Sequence, residues 1–265
     1  MTLAYTTLSI DRRGAVDWLT LNRPESLNAM NPVMVAELSG YFRGLEEDRS
    51  VRVVVLRGSG RAFCAGLDLK DMGSRLDTLD AAGVYTEQRR LSRLIISMRR
   101  CPQPIVCLLQ GSASGGGFAM ALASDIRLAT PDCRMNASFI QVGLTGCDVG
   151  VSYHLPRMVG ASVAAELMMT GRFLTASRAH ALGFVSEILA DDAIVAAAEA
   201  LVEDLLKAAP LALELTKQGL VVAQGVDRLE AAVDIEDRQQ AMLANGAEFR
   251  GRVKAFLARL AAKSK

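Results

Sequence analysis

The runs Ala15-Val16-Asp17-Trp18-Leu19-Thr20-Leu21 and Val51-Arg52-Val53-Val54-Val55-Leu56 are short, apolar and rich in β-branched residues, the pattern of strands. The second is almost continuously apolar, as expected of a strand covered on both faces. Between them, Pro32 to Glu47 places Met34, Val35, Leu38, Phe42 and Leu45 at helical spacing, with Pro32 suited to a first turn. A longer amphipathic stretch, Ala81 to Arg99, sets Tyr85, Leu91, Leu94, Ile95 and Met98 on one side. Pro102 and Pro104 stop it before another apolar run, Ile105 to Leu109. Strands alternating with helices predict the α/β class.

After Glu187 the texture becomes alanine-rich, and helices are expected over 193–208, 210–222, 228–244 and 248–262. The expected division is a core over residues 1–190 and a helical C-terminal region over 191–265. The apolar faces of the tail are wide enough to predict packing against another subunit. No solenoid-period repeat and no low-complexity linker interrupts the chain.

Composition narrows the function. With 265 residues, 51% of them hydrophobic, the chain can bury a core without disulfides or metals. Thirty Lys and Arg against 29 Asp and Glu leave a formal charge of +1, which gives no global reason to expect nucleic acid or an acidic membrane as partner. Five scattered cysteines without a Cys-x-x-Cys pair, and two histidines, support neither a disulfide framework nor a metal site. Met1 to Asp11 lacks a basic segment followed by an apolar stretch, and no apolar run reaches the ~18 residues of a membrane span. A soluble, cytoplasmic protein is the expectation.

Two glycine-bearing loops carry the candidate chemistry, Gly58 to Leu69 and Gly111-Ser112-Ala113-Ser114-Gly115-Gly116-Gly117-Phe118. A P-loop would need Lys and Ser or Thr after its closing glycine, and neither loop fits Gly-x-Gly-x-x-Gly. The hydrolase pattern Gly-x-Ser-x-Gly fails because Ala113 holds its centre. Three glycines before the helical stretch Phe118 to Ser124 let backbone approach a ligand and aim free amides at it, which stabilises negative charge. A tight turn between packed elements would need the same residues.

Four ordered segments carry a resemblance: Leu21-Asn22-Arg23-Pro24-Glu25-Ser26-Leu27-Asn28-Ala29-Met30, Arg61 to Lys70, Gln110 to Ile126, and Gly171-Arg172 with Ala179 to Val185. Together they resemble the enoyl-CoA hydratase/isomerase, or crotonase, superfamily, closely over Val16 to Glu187 and loosely in the tail. The resemblance implies a spiral of ββα units followed by a helical trimerisation region, assembled as homotrimers or dimers of trimers. It implies an acyl-CoA thioester as ligand, with the amides of Leu67 and Gly116 as an oxyanion hole holding the carbonyl as it becomes an enolate. Coenzyme A then lies along Glu25, Ser26 and Leu27 and near Lys70, with Phe256 and Lys263 of a neighbouring subunit as further contacts. It arrives with the substrate, and no permanently bound cofactor is implied. The variable stretch Met72 to Thr86 is expected to line the acyl pocket.

The same matching puts Ala119 and Phe139 where hydratases of the family carry their two catalytic glutamates, and neither can move a proton. Asp148 falls where dienoyl-CoA isomerases of the family carry a catalytic aspartate, although those also keep a glutamate at the position of Phe139. A capping or turn role for Asp148 beside Gly150 is the alternative. His154 and His180 are expected to be structural, and Cys64 and Cys147 to be packing residues. Two functions stay open: an enzyme that stabilises a thioester enolate and performs hydration, isomerisation or another proton transfer, and an acyl-CoA binding protein that has lost the chemistry.

Overall fold

The computed structural model describes residues 5–76 and 78–263, apart from the side chains of 74–76 and 263. The chain divides into two compact units, Met1–Glu203 and Asp204–Lys265.

In the first unit, β1 (Leu8–Arg13) and β2 (Val16–Leu21) form a hairpin through Gly14, whose φ of 60° suits its turn. The chain then passes through a 3-10 turn at Pro24–Ser26 into α1 (Pro32–Gly44), capped by the Asn31 side chain on the Met34 N–H. β3 (Val53–Gly58), α2 (Leu69–Leu76) and α3 (Ala81–Arg100) follow, then β4 (Ile105–Leu109), β5 (Ser112–Ser114) and α4 (Gly116–Ala123). β6 (Ile126–Ala129) and β7 (Arg134–Asn136) lead through a 3-10 turn at Ser138–Val142 to α5 (Val151–Val159) and α6 (Ala161–Thr170). The sheets close with β8 (Leu174–Thr175), α7 (Ala176–Ala181) and β9 (Glu187–Ile188), after which α8 (Ile194–Lys207) begins.

The main sheet has the order β1-β2-β3-β4-β6-β9, antiparallel only at the first pair. A second sheet has the order β5-β7-β8, and the glycine loop leads from β5 into α4. Val53 to Leu56 and Ile105 to Leu109 are buried along their whole length, as continuous apolar strands in a covered parallel sheet should be. Leu94, Ile95 and Met98 of α3 are buried as their spacing predicts, whereas Tyr85, expected on the same side, is 65% exposed. It stands one turn from the helix start, before the packed part of α3 begins.

Arg127 locks the end of α4. It is buried, and its guanidinium donates to the carbonyls of Ala121 (3.1 Å), Ser124 (2.6 Å) and Phe184 (2.7 Å), so the helix's terminal carbonyls meet a cation. The second unit consists of the rest of α8 with α9 (Pro210–Ala223), α10 (Leu229–Ala244) and α11 (Ala247–Lys263). The last strand thus ends at Ile188, and only helices follow among the described residues, while the compact division falls further on, inside α8. No described helix is long and apolar enough to cross a membrane.

Candidate active site

The first loop is built on Asn28, fully buried and at a φ of 54° that asparagine tolerates better than most residues. Its side chain accepts from the Arg23 N–H (2.9 Å) and donates to the carbonyls of Ser59 (2.8 Å) and Ala62 (2.9 Å), tying three segments together. The backbone then pairs in both directions. The Ala65 N–H donates to Leu27 O, Met30 N–H to Gly66 O and Asp68 N–H to Met30 O, while Cys64 exchanges bonds with Ser112 and Ser114. Met30 therefore engages the residues on either side of Leu67. By the alternation of an extended chain, the Leu67 N–H faces the opposite way.

Gly116 opens α4, so its N–H has no intrahelical acceptor. Neither it nor the Leu67 N–H has an acceptor among the described residues. The two loops meet closely enough that a Cβ on Gly117 would stand 2.3 Å from Cys64 O. Gly66 takes a φ of 98° with Ser114 O in the same position relative to it, 2.8 Å from where a Cβ would sit.

Leu67 and Gly116 line one cavity of about 310 Å³. Its walls are mainly apolar, from Met30, Leu69, Leu91, Leu94, Ile95 and Phe139, and among the described residues that line it Asp148 alone is ionisable. Asp148 is half-buried, and its Oδ1 accepts from the Val149 N–H (2.8 Å) and from Gln88 Nε2 of α3. Burial lifts its carboxyl above the ordinary value of 3.8, against the opposing pull of those two donors. The side chain does not cap α5, whose first position follows Gly150; it serves its own loop and the cavity.

Ala119 is buried within α4 and does not line this cavity, whereas Phe139 does, its ring edge lying 3.4 Å from where a Cβ on Gly115 would stand. Glu25 and Lys70 are exposed and Ser26 and Leu27 half-buried; none of the four lines the cavity, although Leu27 is bonded to the loop that carries Leu67. Phe256 is 56% exposed on α11, and the side chain of Lys263 lies outside the described residues. Of the stretch Met72 to Thr86, no described residue lines this cavity; Met72 faces a neighbouring one of about 280 Å³ with Pro32, Val35 and Arg93, and the side chains of 74–76 lie outside the described residues. Leu69 and the middle of α3 form part of the described wall. Residue 77 lies outside the described residues.

Gln88 is the site residue that sequence reading missed. Its signal was present: a polar residue three positions before Leu91 on the stripe that continues through Leu94 and Ile95. His154 is buried off the cavity, and His180 bonds Val185 O through Nδ1 at 3.1 Å. Burial pushes the Cys64 thiol up to about 12, so it is no nucleophile. Cys147 is exposed, and among the described residues no group of three or more His, Cys, Asp or Glu could hold a metal ion.

Comparison with known proteins agrees with this architecture. The family model described as enoyl-CoA hydratase/isomerase matches residues 11–264. The chain is 36% identical over 227 residues to a probable enoyl-CoA hydratase of Mycobacterium bovis, covering 84% of this chain and 80% of that protein. It is 32% identical over 246 residues to the 1,2-epoxyphenylacetyl-CoA isomerase of Escherichia coli, covering 91% of each. The crystal structure of an enoyl-CoA hydratase from Mycobacterium smegmatis superposes with a TM-score of 0.90 at 33% identity, over 96% of this chain and 97% of that one. A family model that spans residues 11–264, together with near full-length similarity to these proteins, leads to one conclusion: the chain belongs to the enoyl-CoA hydratase/isomerase family.

Proposed function

We propose that this chain is an acyl-CoA enzyme that holds a thioester oxygen between the Leu67 and Gly116 amides and moves a proton with Asp148. The observation that carries the reading is one cavity shared, among the described residues, by two amides without an acceptor and a single ionisable side chain. Removal of a proton next to the conjugated thioester leaves an electron pair that delocalises onto the thioester oxygen as an enolate. Donors already aimed at that oxygen stabilise the charge as it grows. Asp148, now a carboxylic acid, returns the proton to another carbon, and the double bond has moved. Ala119 and Phe139 carry no ionisable group, so a one-carboxylate isomerisation accounts for the site better than a hydration that uses two.

Within the same proposal, coenzyme A lies along Glu25, Ser26 and Leu27 with Lys70 at its phosphates, and the protein is a cytoplasmic homotrimer or dimer of trimers. Four buried thiols, those of Cys64, Cys101, Cys107 and Cys133, suit a reducing compartment. An exposed stripe on α11 suits contact between copies: Phe249, Val253, Phe256 and Leu260 recur at helical spacing, and each is at least 39% exposed.

The test is turnover of a panel of enoyl- and dienoyl-CoA thioesters in D2O by the parent and Asp148→Asn, with ligand affinity followed separately. A base lost without loss of binding lowers the rate by about a hundredfold to ten-thousandfold. Equal turnover by both forms would remove Asp148 from the chemistry, and tight binding without conversion by the parent would make the protein a carrier.

A further inference from the structure

The carboxylate of Asp148 is held by one oxygen. Oδ1 accepts from Val149 N–H and from Gln88 Nε2, whereas Oδ2 accepts no bond from the described residues. The two anchors differ in kind: Val149 is the next residue in the chain, while Gln88 reaches across from α3, 60 positions away in sequence. The neighbours of Gln88 in the cavity wall are Leu91, Leu94 and Ile95. A half-buried amide among leucines loses solvation that only a bond such as this one restores, and a leucine would pack there without that cost. A carboxylate can only accept, so its ionised form selects the amide N–H side of the glutamine.

We infer that Gln88 is a positioning residue, fixing Asp148 through Oδ1 so that Oδ2 is the oxygen presented to the acyl group. The inference rests on the reading of Asp148 as the base. A single local anchor leaves the carboxylate free to rotate about its Cβ–Cγ bond; a second anchor from another element removes that freedom and keeps one oxygen pointed into the cavity. Beside Gln88, α3 carries Glu87, Arg89 and Arg90, α5 carries His154 and Arg157, and Cys147 precedes the aspartate in its loop; none of these lines the cavity. Burial raises the carboxyl's titration and the two donors lower it, so removing one donor is directly readable.

The experiment is carboxyl carbon NMR of the full-length protein labelled at aspartate Cγ, with Asp148→Asn identifying the Asp148 signal, on the parent and on Gln88→Met. Methionine keeps the length and helix propensity of glutamine and lacks its donor. In the variant the Asp148 signal should titrate at a pH higher by about one unit, since a hydrogen bond to the charged form has gone. The acid limb of kcat against pH should move with it, and kcat should fall about tenfold while KM changes little. Thermal melting verifies folding, and Gln88→Ala repeats the titration should the methionine variant not fold. An Asp148 signal titrating at the same pH in parent and variant overturns the inference. The titration needs no substrate, so its failure is distinct from failure of the base reading, which undiminished turnover by Asp148→Asn would show.

Discussion

Asp148 and His154 stand six positions apart, and burial pushes each toward its neutral form, with opposite consequences. For Asp148 the raised pKa means that the base form appears at higher pH than for an exposed aspartate. Activity that depends on it should fall as pH drops through that raised value, so the acid limb of kcat/KM should lie above 3.8, and a pH–rate profile checks this. His154 is buried, with Arg99, Arg157 and Arg127 adding repulsion, and its pKa falls from 6.5 to about 4. Between those values the unfolded chain binds the proton and the folded one does not. The contribution of His154 is therefore complete above pH 6.5 and declines as pH falls toward 4, by up to about 3 kcal/mol. His154→Phe should flatten that decline in urea melts taken across the window. A variant that loses stability with acid as steeply as the parent would show that another group controls it.

At the scale of elements, the site depends on how closely α4 approaches the first loop. A methyl group on Gly117 meets Cys64 O, a backbone atom that moves only if the segment carrying Leu67 moves, whereas one on Gly116 meets the flexible end of Met30. Gly117→Ala should therefore cost about 1–3 kcal/mol in chemical denaturation and lower thioester affinity as well. Gly116→Ala should cost less stability, because Met30 Cε can swing away. Equal destabilisation by the two would mean that the loops adjust as one body. The long helices and apolar strands that position these loops were legible in the chain, since each has enough periods to declare itself. β1 was not, because its Asp11, Arg12 and Arg13 break the apolar alternation, and β5 to β9 were not, because strands of two to four residues carry too little pattern.

At the scale of the molecule, the second unit offers its α11 stripe outward, and a small helical unit seldom leaves such a row of Phe, Val and Leu uncovered. Sedimentation of the full chain should give a trimer or a dimer of trimers, and Phe256→Glu with Leu260→Glu should shift the population toward smaller species. A monomer in the parent would remove this part of the proposal.

What the amino-acid sequence determined by itself was the α/β class, the helical tail and the glycine loops, because period and glycine runs are local properties of the chain. Tertiary structure alone decided which residues share a cavity. It turned Tyr85 outward, brought the middle of α3 into the cavity wall, and set Gln88 against a carboxylate 60 positions away. A residue's helical spacing says which side of its helix it occupies; which loop packs against that side is fixed only when strands distant in sequence pair.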